Sequence, residues 1–184
     1  MEFTKKGSYR VGKEHYVKPK ERIEELEKLS MKIRELLKKN IPRSRNLDLV
    51  ILKCHLLIEF MIDQSINLFS EHKVEIQEET FTFYQKITLL HILGFPPDPT
   101  ILPSIELINK IRNKVVHTLS VDRDMVDTLI KINSEDPETF QIGDDSERVK
   151  AIKIITRFIC GDLLGVIKAF HIEAYEQVCR SSMA

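Results

Sequence analysis

Along most of this chain apolar residues recur at intervals of three and four, the period of a helix that turns one face inward. After Pro19, which a first helical turn tolerates, Ile23, Leu26, Leu29, Ile33, Leu36 and Leu37 form one such stripe, and Pro42 closes it. Residues 46–70 differ, because Leu47, Leu49, Val50, Ile51, Leu52, Leu56, Leu57, Ile58, Phe60, Met61 and Ile62 wrap nearly all round. That pattern predicts a helix in the middle of a bundle. Its one polar line is His55, Glu59, Asp63 and Asn67, spaced by four and therefore on one face, where the carboxylates must meet water, a cation or a partner.

A third helix is expected over 80–93, with Thr80 or Thr82 as its cap, Phe83, Ile87 and Leu90 inward, and Gly94 as its stop. A fourth opens at Pro103 and Ser104, carries Ile105, Ile108, Ile111, Val115 and Leu119 as an inner stripe, and fades between His117 and Ser120. Asp122 to Ile132 read as a short further helix. The acidic stretch 133–147, with Pro137 and Gly143, reads as a loop. Ser146 is then placed to cap a long last helix whose stripe is Val149, Ile152, Ile155, Ile159, Leu163, Val166, Ile167 and Phe170. No alternation of strand type and no internal repeat interrupts this series. The expected fold is therefore all-α, an up-and-down helical bundle with an additional long C-terminal helix. Residues 1–18 form a loose N-terminal arm and 19–184 a single domain.

Composition changes this picture little. A chain of 184 residues, 42% hydrophobic and 30% charged, is long enough to bury a core without disulfides or metals. Its three cysteines, Cys54, Cys160 and Cys179, are odd in number and lie in helical stretches, so they read as reduced core thiols. No secretory leader opens the chain and charge breaks every apolar run, which points to the cytoplasm and away from a membrane. The net charge of zero withholds the usual electrostatic footprint of a nucleic-acid binder. It conceals an asymmetry, however: residues 1–46 carry 14 Lys and Arg against 7 Asp and Glu, whereas residues 47–150 carry 10 against 18. The basic excess is the solvated side of the first helix or a basic face beside it.

Candidate chemistry is concentrated in Arg112-Asn113-Lys114-Val115-Val116-His117. Asn113 and His117 share a helix face, but Arg112 and His117 stand about 140° apart round an ideal helix. If those two act together, the helix end is distorted or two copies of the chain bring their helices side by side across a two-fold axis. Taken singly, each has a structural alternative: Arg112 as ion-pair partner of Glu59, His117 as a residue favoured at the negative end of a helix dipole. A metal held by His55, Glu59 and Asp63 on one face is the next candidate, although the sequence offers no obvious source for the remaining ligands and no pair of closely spaced His or Cys, and a polar stripe explains the spacing. His15, His72, His91 and His171 stand alone, and Phe81, Phe83 and Tyr84 read as core. Phosphate-binding glycine loops, a nucleophile elbow and paired cysteines are missing from the sequence.

The pattern Arg-Asn-x-x-x-His near the end of a late helix resembles the signature of the HEPN superfamily. The run from Glu79 to Phe95, the proline-rich link, and Leu107 to His117 look like one branch of it, the mannitol operon repressor group and its bacterial relatives. The resemblance covers roughly residues 46–120. It implies a bundle that dimerises, with Arg112 and His117 of both copies lining a cleft. It further implies a metal-independent endoribonuclease without cofactor, in many cases the toxin of a toxin–antitoxin pair. The partners it implies are RNA, a second copy of the chain, and a protein antitoxin or regulatory partner. On this reading His117 is the general acid/base, Arg112 holds the phosphate charge, Asn113 orients His117 or contacts the phosphate, and Glu59 supports Arg112. The alternative within the same resemblance is a non-catalytic regulatory or protein-interaction module.

Overall fold

The structure is a computed structural model that describes residues 19–69, 81–95, 98–137 and 143–181. Those residues form six helices and no strand: α1 (Pro19–Asn40), α2 (Leu47–Phe69), α3 (Phe83–Ile92), α4 (Ile101–Thr118), α5 (Arg123–Ile132) and α6 (Asp145–Ser181). The protein is all-α, as the period of three and four requires. The N-terminal arm with His15, and His72 and Thr80, lie outside the described residues, as do the side chains of Ile23, Leu26, Leu29, Ile167, Phe170, His171 and Cys179.

The central place expected for α2 is where the structure puts it: α2 packs on α6, α4, α3 and α1, while α5 bridges α4 and α6. Val50, Ile51, Cys54, Ile58, Met61 and Ile62 of α2 are fully buried against Ile105, Ile108 and Ile111 of α4 and Ile152, Ile159 and Leu163 of α6, in one continuous core. Each such aliphatic side chain contributes roughly 1.5–3 kcal/mol by leaving water. Burial of α2 is nevertheless incomplete, since Leu49 and Leu56 are 41% and 60% exposed.

Local chemistry sets the helix ends. Thr82 caps α3 in a capping box: its hydroxyl accepts the Gln85 N–H, and the Gln85 side chain accepts the Thr82 N–H. At the other end Gly94 takes φ 82°, its N–H donates to the His91 carbonyl and the Phe95 N–H to that of Leu90, which forms a Schellman stop. Three ends differ from expectation. α4 begins at Ile101, two residues before Pro103, because a proline in the first turn lacks only an N–H that has no helical acceptor. The side chain that caps α6 is that of Asp144, which accepts the Glu147 N–H at 2.9 Å, so Ser146 already lies within the helix. Leu119, expected in the inner stripe, is instead the left-handed C-cap of α4 at φ 56° and is 87% exposed. Its backbone turns the chain away from the core one residue before the stripe would have used its side chain.

Polar contacts tie the shorter helices down. Arg148 of α6 grips Asp127 of α5 through two bonds of 2.7 Å, and Asn133 at the end of α5 donates to Ser104 of α4 at 2.8 Å. Asp48 at the start of α2 accepts the Val121 N–H just beyond α4 at 2.7 Å, and His55 further along α2 bonds Asn109 of α4 at 3.1 Å. These two bonds make α2 and α4 antiparallel. They also bring the Leu49–Leu52 turn of α2 level with the last turns of α4.

Candidate functional site

The polar line of α2 faces a cation from its own chain. Lys86 of α3, 1% exposed, donates to Glu59 Oε1 at 3.1 Å and to Asp63 Oδ2 at 2.9 Å. Burial alone would push the Lys86 ammonium down. The hydrogen bonds and charges of Asp63 and Glu59 outweigh it, so its pKa lies above the ordinary lysine value. Phe83, Lys86, Ile87 and Leu90 follow the three-and-four rhythm, so Lys86 occupies a position of the inner stripe of α3. A lysine at an inward position opposite two carboxylates was the signal that sequence reading missed.

His55, 2% exposed, sits next in the seam. Its ring packs on Phe83 with centroids 4.6 Å apart, and Nε2 donates to Asn109 Oδ1. Nδ1 is buried without a hydrogen-bond partner, 3.9 Å from Glu59 Oε2. Burial is the main cause that lowers the His55 pKa; the Asn109 bond and the Glu59 charge oppose it, and the nearby Arg112 and Lys86 add to it. His55 is therefore a neutral imidazole at pH 7. The cation on this face is thus Lys86, and no group of three His, Cys, Asp or Glu suited to a metal occurs among the described residues.

Arg112 lies half-buried on α4, one turn beyond Asn109 and close enough to be felt by His55. Its Nη1 donates to Asn113 Oδ1 at 2.9 Å, so Asn113 is engaged by Arg112, and no bond links it to His117. The ion pair expected between Arg112 and Glu59 is not formed, because Lys86 holds that carboxylate. His117 is exposed in the last turn of α4, with Val116 beside it 49% exposed. Because α4 is unbroken through Thr118, the helix end is not distorted in a way that would aim Arg112 and His117 at one point. Within one chain no hydrogen bond joins them.

The remaining candidates are resolved by burial. Cys54 and Cys160 are free and buried; burial pushes the Cys54 thiol up, and that of Cys160 to about 12, so neither is a ready nucleophile. Tyr84, read as core, is 71% exposed, and His91 is exposed. No helix among the described residues is long and apolar enough to cross a membrane. Comparison of the chain with protein-family models, with curated proteins and with solved structures finds no match.

Proposed function

We propose that this chain is a HEPN-type endoribonuclease acting as a dimer, with Arg112 and His117 of two copies lining a shared cleft. The observation that carries the reading is the surface next to the Arg-Asn-x-x-x-His segment. Leu49 and Leu56 of α2 project into solvent with Leu52 and Phe60 partly exposed between and beyond them, and Val116 of α4 adds to them at the level fixed by the Asp48 and His55 bonds. Exposed leucines aligned at helical spacing favour a covering partner. A second copy placed there by a two-fold axis would bring its own α4 end beside the first.

The chemistry of the reading is in-line transesterification. One His117 imidazole takes the proton of a ribose 2′-hydroxyl, and the 2′-oxygen forms a bond to phosphorus. The bond from phosphorus to the 5′-oxygen breaks, and the protonated His117 of the second copy delivers a proton to that leaving oxygen. Arg112, preset by Asn113, supplies a planar fork to the non-bridging oxygens as their charge grows. The products are a 2′,3′-cyclic phosphate and a 5′-hydroxyl.

The test is incubation of the purified chain with labelled single-stranded RNA in EDTA, with the ends of the fragments analysed. Cyclic phosphate ends that disappear in His117→Ala support the proposal. A strictly monomeric chain, or cleavage that persists in His117→Ala, overturns it. The net charge of zero favours the other member of the same resemblance, a regulatory or interaction module that uses the apolar stripe for a protein partner. A stable dimer of intact Arg112 and His117 that cuts no RNA decides for that module.

A further inference from the structure

On another side of the bundle α1 and α6 leave a groove of about 420 Å³ between them, lined by Arg34, Leu37, Lys38, Ile41, Arg157, Gly161, Leu164 and Gly165. We infer that this groove is a binding site for an organic phosphate of nucleoside diphosphate size. Three observations support the choice. The volume falls within the range of small-molecule sites. Arg34, Lys38 and Arg157 line it with three positive charges, and no ion pair of the described residues includes any of them. Part of its lining is apolar or bare: Leu37, Ile41 and Leu164 are buried, while Gly161 and Gly165, one turn apart on α6, have open space where a Cβ would stand.

The layout further narrows the ligand. Lys153 of α6 donates to the Ser44 carbonyl just beyond α1 at 3.0 Å, so the two helices run antiparallel. Arg157 therefore stands near the Ile41 end of the groove and Arg34 near the Gly165 end. From Arg157 to Gly165 the helix advances about 12 Å. Cations spread along such a length suit an elongated anion rather than a single phosphate ion. The bare glycine backbone lets a flat ring lie directly against the helix, which a side chain at either position would prevent. Arginine forks match phosphate oxygens in pairs, and the lysine adds a mobile point charge.

Calorimetric titration of the full chain with ADP, without divalent ions, tests the site. Saturable binding of one ADP per chain is expected, with adenosine and pyrophosphate each binding more weakly than ADP. Arg157→Gln and Arg34→Gln should each weaken ADP about tenfold, the scale of one charge-assisted hydrogen bond. Gly165→Leu should abolish the binding while its melting temperature stays level or rises, since leucine is the better helix former and its Cβ meets no atom. Unaltered ADP affinity in His117→Ala is also expected, which separates this site from the ribonuclease reading. Absence of heat at millimolar ADP, pyrophosphate binding as tightly as ADP, or ADP affinity unchanged by Gly165→Leu overturns the proposal.

Discussion

Two polar regions lie within a few turns of each other on α4, and they are built in opposite ways. In the seam of α2, α3 and α4, Lys86 has Glu59 and Asp63, and His55 has Asn109 and the face of Phe83. At the end of α4, Arg112 has its neighbour Asn113 as its hydrogen-bond partner among the described residues, and His117 is exposed. The first region is closed: its charges are satisfied by the chain itself, and a buried ammonium without those partners would be untenable. The second is open: among the described residues no carboxylate pairs with its cationic fork or its imidazole, and groups left in that condition are available to a ligand or a second copy. The difference teaches that a titratable residue near a recognised motif is not thereby part of its chemistry. Glu59, expected as an ion-pair partner and support of Arg112, belongs to the closed region.

Each region can be disturbed without the other. The largest effect is expected at the open end, where His117→Ala should lower RNA cleavage by about 10²–10⁴. Its melting temperature should shift little, because an exposed substitution changes stability by about 0.5 kcal/mol or less. A melting-temperature loss comparable to a core defect would move His117 into the closed class. Lys86→Met should do the reverse by stranding two carboxylates, costing about 3–5 kcal/mol in a denaturant titration. The triple variant with Glu59→Gln and Asp63→Asn should recover part of that loss; no recovery would mean that lysine packing, and not its charge, holds α3.

Leu56→Glu probes the join between the regions. It should halve the particle mass in light scattering and remove cleavage, while the monomer's unfolding free energy moves by no more than about 0.5 kcal/mol. Finally, the seam carries two opposite pH signatures. The His55 pKa is lowered on folding, so its contribution is complete above the unfolded value of about 6.5 and is lost as pH falls through the folded value. The Lys86 pKa is raised, so its contribution is complete below about 10.4 and is lost as pH rises through the folded value. His55→Gln should flatten the acidic limb of a stability profile and leave the alkaline limb in place; an unchanged acidic limb would show that other groups dominate it.

The helices, their order and most of the core were legible because burial in a bundle writes itself as a period of three and four. Thr82 and Gly94 announced the ends of α3 by their own chemistry. The polar line of α2 was legible as a set needing a counter-charge, but its partner was not, since Lys86 lies 27 residues from Glu59 and pairs only when α3 folds back on α2. Leu119 misled because periodicity continues in the sequence past the residue where the backbone leaves the helix. Leu49 and Leu56 misled for a related reason: an apolar residue records that a face is sticky, without recording what covers it.

By itself, then, the sequence determined a helical bundle, its central helix, and the segment Arg112 to His117 as the place to look for chemistry. Only the tertiary structure decided which cation answers the carboxylates of α2, which leucines are left in water, and that α4 runs straight to Thr118. The physical reason is that period and capping are local properties of the backbone. Charge pairing and exposure instead depend on residues that meet only after distant helices have packed.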